Sequence, residues 1–72
     1  MDVRQLRALG QRWNEFLRWA EAHPHHALPQ KVAAETLALN SKLLLTTAER
    51  NLRLIAVAEN AYRLMCQLPE YT

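Results

Sequence analysis

Apolar residues in the first third of the chain recur at Leu6, Leu9, Trp13, Phe16 and Ala20, in alternating steps of three and four, with Leu17 beside them. That period gathers them on one face of an α-helix. Arg4, Arg7, Gln11, Asn14 and Arg18 fall on the opposite face. A longer run follows at Ala34, Leu37, Ser41, Leu44, Ala48, Asn51, Ile55, Ala58, Tyr62 and Met65, a heptad-spaced seam with Ser41 and Asn51 as its polar interruptions. Breakers are sparse, namely Pro24, Pro29, Pro69 and Gly10. The pattern therefore predicts a helix over about 2–22, a loop over 23–29 and a second helix over about 30–68.

The expected fold is all-α, an antiparallel helical hairpin with a long second helix that dimerises into a bundle. The stretch "TTAE", Thr46 to Glu49, supplies an alternative, because its S/T-x-x-E form is a capping box able to restart a helix. On that reading the chain is a three-helix bundle with a break near Thr46. Continuity is preferred, since the seam keeps its phase through Thr46 and neither Gly nor Pro occurs between residues 30 and 68.

Helix length then predicts assembly. At 1.5 Å per residue the first helix would span about 30 Å and the second about 60 Å, so one cannot cover the other. Residues 50–68 would be left without an internal partner, although they carry a second apolar row, Leu54, Val57, Ala61, Leu64 and Leu68. That row is the expected homodimer interface.

Composition adds bounds. Seventy-two residues make one small helical domain over 1–72, and half of them are apolar. The net charge of +2 is spread along the chain, so no basic arm demands nucleic acid. No apolar run has the length of a membrane span, and "MDVRQLRALG" lacks the basic start and apolar run of a secretory signal, which predicts a cytoplasmic protein. A lone Cys66 builds no internal disulfide.

Candidate chemistry is limited. His23, His25 and His26 crowd one short loop without a cysteine or spaced carboxylate to complete a zinc set, so a reversal is expected there, with no metal and no cofactor. No phosphate loop, acid/base pair or activated nucleophile is visible, and no enzyme is expected. The segment "QKVAAETLALNSKLLL" resembles a helix-turn-helix, with Gln30, Ala34 and Leu44 in keeping and Ala38 departing where that family's turn wants glycine. In shape, a dimer of helical hairpins is similar to small plasmid-encoded RNA-binding proteins, a resemblance that would put Arg4, Arg7 and Arg18 against phosphates. Nucleic acid is accordingly the alternative partner.

The preferred reading is a protein-interaction module that binds and inhibits or regulates another protein. In size and composition the chain is similar to small phage- or plasmid-encoded anti-activators. Trp19 lies about 100° from the centre of the apolar stripe of the first helix, and with Arg12 and Glu15 it forms the expected partner-binding flank.

Overall fold

A computed structural model describes residues 2–71 as three helices, α1 (Val3–Ala22), α2 (Ala27–Asn40) and α3 (Thr47–Cys66), with no strand among them. The fold is all-α, and the chain breaks near Thr46. The predicted helix over 30–68 is thus two helices.

Local chemistry sets each boundary. Asp2 caps α1 by accepting the Gln5 amide proton at 2.8 Å, while the Gln5 side chain accepts from the Asp2 amide at 3.0 Å, a reciprocal box that satisfies two otherwise orphaned donors. His23 ends α1 directly before Pro24. The connection is shorter than the predicted 23–29, because His26 caps α2: its Nδ1 accepts the Leu28 amide proton at 3.0 Å. Pro29 is then the third residue of the helix, where a missing N–H costs nothing.

The second reversal needs neither Gly nor Pro. Thr46 accepts the Glu49 amide proton at 3.1 Å and starts α3, as the "TTAE" pattern allows. Arg50 secures the turn from the other side, its guanidinium donating to the Leu39 carbonyl at 3.3 Å and the Lys42 carbonyl at 2.8 Å. The Leu39 oxygen belongs to the last turn of α2, where it also accepts the Lys42 amide proton at 3.3 Å, and the Lys42 oxygen lies just past the Ser41 cap. One arginine therefore ties the end of one helix to the first turn of the next.

Folding back is favoured because it gives α3 a partner along its whole length. The order is up, down, up: α1 and α3 run parallel, with α2 antiparallel to both. α3 packs against both other helices, whereas α1 and α2 touch only marginally. The cross-section, 28 by 17 Å, is elongated accordingly. The core joins Phe16 and Trp19 of α1, Leu28 and Val32 of α2, and Ala61 and Met65 of α3. Burying each of the larger of these side chains contributes roughly 1.5–3 kcal/mol.

The seam keeps its phase across the break without running through one helix. In α3 it holds, with Met65 buried and Ile55, Ala58 and Tyr62 half-buried. In α2 and the loop after it, it does not: Ala34 and Leu37 of the helix and Leu44 of the loop are exposed, and Leu28, Val32 and Leu39 are the buried positions. The helix-turn-helix resemblance is corrected too, since Ala38 lies inside α2 and the reversal comes at 41–46.

Candidate interaction surface

The flank expected to bind a partner is divided by the fold. Trp19 is only 8% exposed and belongs to the core. Its indole stacks on His23 with ring centroids 4.7 Å apart, meets the edge of His26 at 5.0 Å and tilts against Phe16 at 6.3 Å. The reason lies in the histidine loop, which folds over the end of α1 and closes a side that a helical wheel alone leaves open. Arg12 and Glu15 remain exposed. Glu15 accepts a hydrogen bond from the Tyr71 hydroxyl, and this carboxylate, with partial burial, pushes the Tyr71 pKa up to about 12. Arg12 faces Glu59 across a shallow cleft between α1 and α3.

The row expected to line a homodimer packs largely within the chain. Ala61 is buried, and Val57, Leu64 and Leu68 pack on the internal core. With α3 folded back, the length mismatch that left these residues without a partner is gone. Leu54 and Val57 of the row also line an open cavity.

The histidines serve the fold. His23 Nδ1–H donates to the Trp19 carbonyl at 2.9 Å. Because His26 Nδ1 accepts from an amide, the proton sits on its Nε2, which approaches Glu70 at 3.2 Å. Glu70 is held below the ordinary carboxylate range, first by a backbone hydrogen bond and then by His26. His25 is exposed. Among the described residues no three histidine, cysteine or carboxylate side chains converge as a metal site would need. Neither Glu49 with Arg53 nor Glu59 with Arg63 closes as an ion pair; among the described residues that contact is His26 with Glu70.

What remains open is the face between α1 and α2. Their separation leaves an apolar trough, floored by α3 in its upper part and enclosed by α1 and α2 alone in its lower part, the two parts sharing Trp13 and Thr36. The upper part, about 540 Å³, is lined by Leu6, Leu9 and Gly10 of α1 and by Leu54, Ile55 and Ala58 of α3. The lower part, about 450 Å³, lies between Phe16, Leu17 and Ala20 of α1 and Val32, Ala33 and Leu37 of α2. Leu6, Leu17 and Leu37 are exposed on its walls, and Leu43 and Leu44 stand 91% and 99% exposed in the loop at the upper end. Apolar side chains grouped around a groove mark an interaction site more often than scattered ones do.

The sequence hid this surface. Leu6 and Leu17 belong to the same stripe as Leu9 and Phe16, and period alone does not tell which of them a neighbouring helix will cover. No protein family, curated protein or solved structure matches the chain. Among the described residues no helix is long and apolar enough to cross a membrane. The class defined by fold and surface is a small three-helix protein with an unfilled apolar trough.

Proposed function

We propose that the protein is an interaction module that binds another protein, and thereby inhibits or regulates it, by taking one of that protein's helices into the trough. One observation carries this reading: α1 and α2 pack on α3 and leave between them an apolar channel about as long as four helical turns. The distance from Leu6 to Ala20 along α1 is about 21 Å at 1.5 Å per residue. An amphipathic helix laid there would complete a four-helix arrangement and cover Leu6, Leu17 and Leu37.

The test compares wild type with Leu6→Glu and Leu37→Glu, both at exposed positions where charge is tolerated by the fold. A partner identified by co-purification and mass spectrometry, then titrated in purified form, should bind wild type and lose at least tenfold in affinity with either variant. A partner that binds all three equally removes the trough from the mechanism. Binding to nucleic acid with an affinity that falls steeply with salt, and that is lost when Arg4, Arg7 and Arg18 are replaced, would establish the alternative partner instead.

A further inference from the structure

We infer that in the free protein the trough is closed by a second copy of the chain, the two α1 helices packing antiparallel about a twofold axis level with the midpoint between Gln11 and Arg12. The inference rests on the trough reading and makes self-association the regulation of that site, since one trough cannot hold a second copy and a partner's helix together. Four residues of α1 carry it. Leu6, Gly10, Trp13 and Leu17 all line the trough, and at about 100° per residue they fall within about 60° of one another. Their steps of four, three and four read the same in both directions. An antiparallel copy therefore sets Leu6 against Leu17 and Gly10 against Trp13, each pairing occurring twice.

The pairings also fit in size. Leu6 and Leu17 are 50% and 40% exposed, two leucines that cover each other. Gly10 is exposed, and a Cβ built there meets nothing within 4 Å. That space receives the half-buried Trp13 of the other copy, and the missing side chain lets the two backbones approach at this level. Ala33, Thr36 and Leu37 of α2 form the far wall against the inserted helix. Because the axis lies near the middle of α1, the two helices overlap from residue 3 to residue 20, about 27 Å.

Charge and area select a copy over an unrelated helix. Among the described residues none that lines either part of the trough is charged. A chain of net charge +2 can therefore meet itself there without like-charge contact, and no lining charge marks out a different chain. On the trough side of α1, Glu21 lies beyond residue 20 and so outside the paired span. Because α1 and α2 are spread across α3, the trough opens on the broad face, 37 by 28 Å or about 1,000 Å² of flat area. A standard stable interface takes roughly 800 Å² per partner, and the narrower sides, 37 by 17 Å and 28 by 17 Å, fall short of it. The chain has need of such cover: among the described residues eight apolar side chains are buried while seven large ones stand exposed, and small single-core domains gain stability by oligomerising.

The experiment measures self-association of the full chain by sedimentation equilibrium, with Leu6→Glu and Leu17→Lys, each checked for wild-type helicity by circular dichroism. Wild type should dimerise at micromolar concentration. Either variant alone should associate at least about tenfold more weakly, because its homodimer sets a charge against a leucine twice. Mixed one to one, the two variants should recover the dimer, since the antiparallel pairing then sets the new glutamate against the new lysine at one contact and keeps Leu6 against Leu17 at the other. A wild-type chain that stays monomeric would overturn the inference and leave the trough to the partner protein alone. A wild-type dimer that both variants leave intact, or that the mixture fails to restore, would place the copies on another face and overturn it likewise. A partner protein whose binding survives both Leu6→Glu and Leu37→Glu would instead overturn the trough reading, whatever the sedimentation shows.

Discussion

Trp19 and His23 stand one helical turn apart with their rings stacked at 4.7 Å, and the same imidazole donates from Nδ1 to the Trp19 carbonyl at 2.9 Å. The last turn of α1 thus holds its own terminal imidazole over the indole. His26 closes the edge at 5.0 Å, and its Nδ1 starts α2. Two histidines of the loop are consequently part of the wall around the largest aromatic side chain of the core.

Trp19→Ala should cost about 3–5 kcal/mol, the range for removing a buried aromatic. A domain of this size has roughly 4–11 kcal/mol in all, so the variant should be largely unfolded by circular dichroism at 37 °C. Trp19→Phe separates volume from hydrogen bonding. The indole Nε1 is buried without an acceptor, so phenylalanine removes an unsatisfied donor along with part of the ring and should cost less than half as much. If Trp19→Ala melts within a few degrees of wild type, the indole is not a core residue.

Arg50→Ala should destabilise by about 1–2 kcal/mol, because the half-buried guanidinium donates to one carbonyl in the last turn of α2 and to another in the loop that follows it. Arg50→Lys should recover little of this, as a single ammonium cannot span both oxygens with the same fork. The loss should be visible as faster amide exchange around 41–46 before global unfolding. Equal exchange in wild type and Arg50→Ala would mean that the turn is held by the Thr46 cap alone.

The local start signals were legible and the long-range partners were not. Thr46 and Glu49 announce a helix start whatever surrounds them. What period could not reveal is that Arg50 would reach across the reversal, or that Leu44, in phase with Ile55, would stand in solvent. A heptad seam reports that successive segments each have an apolar face; it does not report that they share one axis. Trp19 is buried for a related reason. Its angle from the stripe is correct for α1 taken alone, but the side it faces is closed by His23 and His26, which belong to the loop and carry no periodic signal. The trough lay beyond reach because it depends on α1 and α2 standing apart around α3.

Tyr71 supplies a test in pH. Its hydroxyl donates to Glu15, and its pKa is pushed up to about 12 from the model-compound value of 10.0, first by that hydrogen bond and then by burial. A folded-state value above the unfolded one means that this contact stabilises fully below about pH 10 and is lost as pH rises through about 12. Absorbance titration in a Tyr62→Phe background reads Tyr71 alone, and Glu15→Gln should move its ionisation downward. An unchanged curve would show that Glu15 does not hold the phenol in solution.

Gly10 distinguishes the needs of the fold from those of binding. It is the only glycine, it lies inside α1, and it lines the upper trough. Glycine in a helix interior costs roughly 0.5–1 kcal/mol relative to alanine. A Cβ built at this position meets nothing within 4 Å, so no internal packing requires its absence. Gly10→Ala should therefore stabilise the free protein by about that amount and raise Tm by several degrees. The added methyl projects into the channel, where a docked helix would approach most closely, so the partner protein should bind less tightly. Raised stability with reduced affinity is the outcome expected of a residue whose cost to the fold is borne for an occupant. Raised stability with unchanged affinity would place the partner elsewhere along the trough, away from the Gly10 wall.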